Sequence, residues 1–207
     1  KDQVIPIAGL LAGTLFLATP LVFGALSGVI CERVGIVNIA IEGQLLAGAF
    51  TAAVVASIAG TPYAGLVAAP LAGVAVGSLL AFFSIRYQLN QIIVGVVLSV
   101  LVVGLTSFLF STVLKSNPDL NGRKGLPVLP IPLLSEIPVI GPVLFRQNLL
   151  VYLMFIIVIA LQIMLFRSRW GLRMRSVGEH PKAADTVGIN VNRTRWRNTL
   201  LGGAVAG

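Results

Sequence analysis

The sequence predicts an all-α bundle of membrane-spanning helices, and three observations lead to that prediction. Hydrophobic residues make up 57% of the 207 residues and charged residues only 11%, against about 25% charged in a typical soluble domain. The hydrophobic residues lie in long runs, and the charged residues lie between those runs. A run of about 20 apolar residues can cross the hydrocarbon of a membrane as a helix. Most of the chain is therefore predicted to be surrounded by lipid.

Five apolar runs have the length of a membrane span. They cover residues 4–30, 36–59, 64–85, 91–114 and 149–166. A further span begins at about residue 198, and the chain stops inside it. The chain also begins without Met, so both ends look cut. We expect this single transmembrane domain to be truncated at its C-terminus and to lack helices of the complete protein.

Two connections between the runs have distinctive compositions. Gly60-Thr61-Pro62 predicts a tight turn between the second and third spans. Six prolines lie within residues 115–148, and they exclude a regular helix over most of that segment. We therefore predict a long loop between the fourth and fifth spans.

The segment 167–197 sets the orientation, because it carries eight basic residues and two acidic ones. Lys and Arg are concentrated in the cytoplasmic loops of membrane proteins. We therefore predict that this segment is a cytoplasmic loop and that residues 115–148 are external, with Arg33 and Arg86 also inside. The formal net charge of +8 does not indicate nucleic acid, because the basic residues follow apolar runs without interleaved aromatic side chains.

Small residues spaced by four recur within the predicted spans. The pairs are Gly9 and Gly13, Gly24 and Gly28, and Gly73 and Gly77. Such pairs let helix backbones approach closely in lipid, where the hydrophobic effect does not drive helices together. They predict a tightly packed bundle rather than a set of separate anchors.

Polar residues near the start of the second span are the first candidates for a transport pathway. Asn38, Glu42 and Gln44 lie there together with two glycines. A carboxylate inside a span costs a few kcal/mol, so such residues usually face the bundle interior or water. The mixture suits a broken or re-entrant helix that lines a cavity. The alternative is that Glu42 lies near the cytoplasmic interface and pairs there with Arg33.

Asn90 and Gln91 open the fourth span and are further candidates for the pathway. Asn is also a common N-cap of helices, so a purely structural role for Asn90 is an equal alternative.

Residues 178–188 predict a short capped helix inside the basic segment. Pro181 suits the first helical turn, and Gly188 suits the left-handed residue just beyond the end. Glu179 is placed to complement the positive end of the helix dipole. A helix this short is marginal in water, so its apolar side chains need a covering surface, either a partner protein or the membrane-embedded body of the same chain. Those side chains are Ala183, Ala184 and Val187.

Motifs of enzyme chemistry are missing from the sequence. His180 is the only histidine and Cys31 the only cysteine, so no metal site or disulfide framework is indicated. Cys31 is interpreted as a small packing residue at a helix end. No G-x-S-x-G elbow and no G-x-x-x-x-G-K-[ST] phosphate loop occurs. We expect no catalytic residue and no cofactor in this chain.

Several motifs resemble the permeases of ATP-binding-cassette importers. Residues 32–43 (ERVGIVNIAIEG) are similar to the family of branched-chain amino acid, ribose and nucleoside permeases. The strongest resemblance is in RWGLR at 169–173, continuing into GEHP at 178–181 and AADTVGIN at 183–190. NQII at 90–93 and LTSFL at 105–109 are similar to the nucleoside and simple-sugar subgroup. Residue 40 is Ala where relatives often have Gly, so the break near Glu42 is expected to be less sharp.

The resemblance implies a type II importer-like fold in a bacterial or archaeal cell membrane. It implies partner ATPase subunits that bind ATP with magnesium, a second permease subunit (identical or different), and an extracytoplasmic solute-binding protein or lipoprotein. It assigns the coupling to the ATPase to Gly178, Glu179, His180, Pro181, Ala183, Ala184, Asp185, Gly188 and Asn190. The expected solute is a nucleoside or a simple sugar.

Two other functions stay open at this point. An ion-coupled secondary transporter could use Glu42 to carry a proton or pair with a cation, and its uptake would need an ion gradient but no ATPase. An intramembrane hydrolase would need a nucleophile and a base, which the sequence does not indicate.

Overall fold

The computed structural model describes residues 4–115, 125–130 and 143–207, and it confirms the all-helical membrane fold. Its helices are α1 (Val4–Glu32), α2 (Ile41–Ala59), α3 (Pro62–Ala81), α4 (Gln91–Leu109), α5 (Leu149–Arg167), α6 (Arg169–Glu179), α7 (Pro181–Thr186) and α8 (Val191–Ala206). Single π-helical turns, Phe82–Arg86 and Phe110–Leu114, extend α3 and α4.

Five stretches of the described chain are long and apolar enough to cross a membrane. They are Gly9–Glu32, Ile41–Ala59, Pro62–Arg86, Gln91–Thr112 and Leu149–Arg167. The structure therefore has one spanning helix at each of the five places where the sequence predicts one.

The second span begins five residues later than expected, at Ile41 rather than at residue 36. Residues 33–40, which we call the elbow, are not helical. Gly35 has a φ of +78°, and the amide of Ile36 donates to the carbonyl of Cys31 at 3.0 Å. This pattern is the Schellman motif, which ends a helix at a left-handed glycine. The elbow is the break that the sequence predicted, but it precedes Glu42 instead of surrounding it.

Helices α2 and α3 form an antiparallel hairpin around the predicted turn. Gly60 adopts a φ of +73°, and Pro62 occupies the first turn of α3. The two backbones then run close together, because a Cβ built on Gly65 would lie 2.5 Å from the carbonyl oxygen of Ala52. The hairpin therefore depends on glycine at both the turn and the contact.

The three predicted glycine pairs have different surroundings. Gly73 and Gly77 face the backbone of α8 around Gly203, so this pair is a true backbone contact between helices. Gly24 and Gly28 face the side chain of Ile41. Gly9 and Gly13 have no described atom within 4 Å of an added Cβ. Identical spacing thus has three outcomes, because spacing places residues on one helix face without determining what that face meets.

The segment 167–197, predicted as a connection between spans that contains one short helix, is mostly helical. Ser168 caps α6 by accepting from the amide of Gly171 at 3.0 Å. The side chains of Met174 and Val177 are fully buried, one turn apart on the same face. The last helix begins at Val191 rather than at 198, capped by the Asn190 side chain, which accepts from the amide of Arg193 at 2.8 Å. Helices were predicted from runs of apolar residues, and α6 and the first turns of α8 contain too many charged residues to form such a run.

The predicted external loop contains two short strands in its described part. Val128–Pro130 pairs antiparallel with Arg146–Asn148. The hydroxyl of Tyr152, in α5, donates to the carbonyl of Leu129 at 3.1 Å and ties the first strand to that helix. The loop predicted for residues 116–124 and 131–142 falls on a part of the chain that the structure does not describe.

A buried cluster at one end of the bundle joins the elbow to four helices. Its members come from α1, the elbow, α3 with its π turn, α5 and α6: Ile30, Cys31, Val34, Ile36, Ala81, Ile85, Leu161, Leu165 and Met174. Cys31 is fully buried there, in agreement with the packing role inferred for it.

Candidate pathway and coupling site

Two of the predicted pathway residues meet in the interior. The side-chain amide of Asn38 donates to the hydroxyl of Ser27 at 3.2 Å and to the side-chain oxygen of Gln44 at 3.0 Å. Gln44 is fully buried, and Asn38 is nearly so. Asn38 Oδ1 and Gln44 Nε2 have no hydrogen-bond partner within the described part of the chain. This pair forms an uncharged polar centre where the elbow, α1 and α2 meet.

Glu42 is not part of that polar centre. Its side chain is exposed on the first turn of α2, whereas Gly43 and Gln44 beside it are buried. The alternative pairing with Arg33 is also not found, because no ion pair joins these two residues in the described chain. The structure therefore separates the carboxylate from Asn38 and Gln44, with which the sequence had grouped it.

Residues at the start of α4 hold the elbow from its other side. Asn90 is an N-cap, with its side chain accepting from the amide of Ile92 at 2.9 Å. The side-chain oxygen of Gln91 accepts from the amide of Val37 at 2.7 Å. A Cβ built on Gly95 would lie 2.7 Å from Cβ of Ile39, so α4 and the elbow are in close contact. Gln91 is thus linked to Asn38 through the backbone, while Asn90 is structural.

The short helix α7 has the end signals that the sequence indicated. Pro181 lies in its first turn, and Gly188 follows it with a φ of +85°. The amide of Ile189 donates to the carbonyl of Ala184 at 3.0 Å, which closes a second Schellman motif. Ala184 is buried, whereas Ala183 and Asp185 are exposed. Only part of α7 is therefore available to a partner.

Other members of the predicted coupling set flank α7. Gly178 and Glu179 form the end of α6, so Glu179 belongs to the preceding helix and lies two residues before the first turn of α7, whose dipole it is predicted to complement. His180 is the exposed junction between α6 and α7. A shallow groove runs between α7 and the start of α8, and its lining includes Lys182, Asp185 and Asn190.

Both helices that flank α7 contact the elbow. The guanidinium Nε of Arg195, in α8, donates to the carbonyl of Val34 at 3.1 Å. A Cβ built on Gly178, in α6, would lie 2.5 Å from the carbonyl oxygen of Arg33. The elbow is thus held by α6 and α8 at its first half and by Gln91 at its second half. Arg195 could not be distinguished from the sequence, where it is one of eight basic residues of the segment 167–197 that indicate orientation.

The buried amide pair gives a first testable prediction. Gln44→Leu removes an acceptor from Asn38 inside the bundle, and leaving a buried donor unsatisfied costs about 1–3 kcal/mol. We expect a lower thermal unfolding temperature in detergent than for the matched change Gln88→Leu, since Gln88 is exposed. The double variant Asn38→Leu with Gln44→Leu should lose less than the sum of the single variants. Additive losses would show that the two amides do not interact.

The fold and the site define a class of protein: a multi-pass helical membrane protein with a polar interior and a folded basic segment beyond its fifth span. The family described as "Branched-chain amino acid transport system / permease component" matches residues 10–207. The chain belongs to this family of permeases, and its apolar helices fit a multi-pass protein of the cell membrane.

Relatives within the family include several transporter subunits. The chain is 38% identical to the nucleoside ABC transporter permease protein NupC of Lactococcus lactis subsp. cremoris, over 96% of this chain and 64% of that protein. It is 36% identical to the guanosine ABC transporter permease protein NupQ of Bacillus subtilis, over 100% and 67%. It is 34% identical to a putative glucose ABC transporter permease protein of Haloferax volcanii, over 97% and 60%. The chain thus spans about two thirds of the length of these relatives, and no solved structure matches it significantly.

Proposed function

We propose that this chain forms the membrane pathway of an ATP-driven importer for a nucleoside or a simple sugar. ATPase subunits that bind ATP with magnesium would supply the energy, and an extracytoplasmic solute-binding protein or lipoprotein would deliver the solute. A second permease subunit, identical or different, would complete the pathway in the bilayer. The observation that carries this proposal is the arrangement of α7: it presents an exposed side to a partner, and both helices beside it contact the elbow.

The proposed mechanism follows from these contacts. Closure of the ATPase subunits would displace α7 together with the adjoining ends of α6 and α8. These ends contact Arg33 and Val34 in the elbow, and the same elbow carries Asn38 and the Val37 amide that Gln91 binds. Displacement of α7 would therefore shift the polar centre and open the pathway alternately to each side, with ATP chemistry taking place on the partner chain.

The solute class is supported by the chemistry of the interior. The buried polar atoms around the elbow belong to amides and hydroxyls, namely those of Ser27, Asn38 and Gln44. Such groups suit an uncharged solute with many hydroxyls, which nucleosides and sugars share. The ion-coupled alternative needs a carboxylate in the pathway, and Glu42 is exposed outside this polar centre. The residues that the structure describes offer no observation in favour of the ion-coupled alternative.

A charged substitution on the exposed side of α7 tests the coupling. Ala183→Arg places a bulky cation where the ATPase would dock, without touching the buried Ala184. Uptake and co-purification of the ATPase should fall by about 30-fold, the size of a typical interface hot spot of 2 kcal/mol. Gln88→Arg adds the same charge at an exposed site outside the coupling segment, so it should leave both measurements unchanged.

Two outcomes would contradict the proposal. Normal ATPase association and normal uptake in the Ala183→Arg variant would show that α7 is not the coupling element. Uptake by the unaltered permease that needs no ATPase but stops when an uncoupler is added would establish the ion-coupled alternative instead.

A further inference from the structure

Helix α6 is in direct contact with the end of the fifth span. A Cβ built on Gly171 would overlap the carbonyl oxygens of Met164 and Leu165, in the last turns of α5. One turn further along α6, the guanidinium of Arg175 lies 5.6 Å from the ring centre of Phe166. Helix α6 therefore packs against the end of a spanning helix, and the ends of spans are where the hydrocarbon of a bilayer gives way to headgroups.

The two sides of α6 differ in character. The side that faces the bundle is formed by Gly171, Met174 and Val177, all buried. The outer side exposes Arg169 and Arg173, which are neighbours one turn apart. Trp170 and Leu172 lie beside them with 42% and 62% of their surface exposed. The outer side thus combines arginines with Trp and Leu, and both kinds of side chain are common where a protein meets the membrane interface.

The charge of this region is mainly positive. Arg167, Arg169, Arg173 and Arg175 lie close together in the sequence, and the acidic residue of α6, Glu179, is at its last position. Arginine binds phosphate through a planar fork of donors, and basic clusters directly after a span attract anionic lipids. Tryptophan prefers the headgroup level of a bilayer. The arginines, Trp170 and the position of α6 directly after a span all favour an anionic lipid as the partner.

We propose that the outer side of α6 is a binding surface for anionic phospholipid headgroups, with Arg169 and Arg173 as the principal phosphate ligands. The apolar exposure of Trp170 and Leu172 favours lipid over the acidic surface of a protein, because both side chains gain contact with acyl chains at the interface. The exposed ring of Phe166, on the spanning helix beside Arg175, extends the same apolar surface into the bilayer.

The test measures lipid binding by the full-length permease after delipidation. Native mass spectrometry would compare retention of phosphatidylglycerol with that of phosphatidylcholine. Each basic residue near an anionic surface strengthens attraction about fivefold, so Arg169→Gln with Arg173→Gln should weaken phosphatidylglycerol binding roughly 30-fold. The matched control Arg193→Gln with Arg197→Gln removes two exposed arginines from α8 and should change nothing. Arg169→Lys with Arg173→Lys should keep most of the binding, because the charge is retained.

Four results would overturn the proposal. The α6 glutamine variant could retain phosphatidylglycerol as well as the unaltered protein, or the α8 control could lose as much. Inorganic phosphate could displace the lipid completely, which would identify a site for free anions. Finally, the glutamine variant could bind its ATPase partner more weakly while lipid retention stays constant, which would assign the surface to an acidic protein. Equal unfolding temperatures of all variants would establish that each is folded.

Discussion

Gly73→Val is expected to prevent the bundle from assembling. A Cβ built on Gly73 would overlap the carbonyl oxygen of Gly203 and would lie 2.8 Å from Cα of Gly207. The reciprocal contact is equally tight, since a Cβ built on Gly203 would lie 2.5 Å from the carbonyl oxygen of Gly73. The obstructing atoms are backbone on both sides, so no side chain can rotate away. Helices α3 and α8 would have to separate.

The loss of stability is expected to be large, because contact with lipid does not replace the packing lost between α3 and α8. Overpacking in a protein interior typically costs about 1–3 kcal/mol, and backbone collisions belong at or above the upper end of that range. Association of helices in a membrane relies on close packing rather than on the hydrophobic effect. A separated pair of helices therefore loses its main attraction. We expect little Gly73→Val protein to elute as a single species in size-exclusion chromatography after extraction with detergent.

A matched control is available in α4. Gly104 is also a glycine of a spanning helix, but no described atom lies within 4 Å of an added Cβ. Gly104→Val should therefore be extracted and eluted like the unaltered protein, and its unfolding temperature should be the same or slightly higher. Normal assembly of Gly73→Val, or failure of both variants, would show that the contact between α3 and α8 does not hold the bundle together.

The glycine contacts also show what could be predicted from the sequence. The spacing of Gly73 and Gly77 correctly indicates a face for close packing, but Gly9 and Gly13 have the same spacing and no neighbour. The partner of Gly73 is Gly203, more than a hundred residues away in the chain. Local periodicity contains no information on such pairings, because they depend on how all the helices pack together.

The spanning helices could be predicted from the sequence, whereas helix α6 and the separation of Asn38 from Glu42 could not. Five apolar runs of sufficient length are a local property, and the structure has a helix at each of them. Helix α6 escaped prediction because its apolar residues Gly171, Met174 and Val177 are separated by charged ones. Asn38 and Glu42 are close in sequence, but the elbow directs Asn38 inward and leaves Glu42 exposed. Asn38 lies in the elbow and Glu42 in α2, so closeness in sequence does not place them on the same side.

Arg195 is the residue whose substitution should most strongly impair transport without dismantling the bundle. Its guanidinium donates to the carbonyl of Val34 across 161 positions of the chain. A second nitrogen of the same group lies 3.3 Å from where a Cβ of Gly35 would be, so the planar group lies along the elbow. Arg195 is therefore a positioning residue that connects α8, directly after α7, to the segment that carries Asn38.

Removing this connection should uncouple ATP hydrolysis from transport. Coupling free energies between sites typically correspond to effects of about 5- to 150-fold, and we expect Arg195→Ala to lower the amount of solute moved per ATP within that range. Arg195→Lys should recover part of the loss, because an ammonium can donate to the Val34 carbonyl but cannot lie along the elbow as a planar fork. Association with the ATPase should stay normal, because Arg195 lies in α8 and the proposed docking surface is the exposed side of α7.

The ratio of solute moved to ATP hydrolysed separates this role from a merely structural one. A variant that is only less stable reduces both quantities in proportion, because fewer complexes are intact. A variant that has lost the connection continues to hydrolyse ATP with little transport. Arg193→Ala is the matched control, two residues earlier on the same helix and exposed, and it should keep the normal ratio. An unchanged ratio in Arg195→Ala would show that α8 does not transmit its motion through the elbow, even if α7 proves to be the docking element.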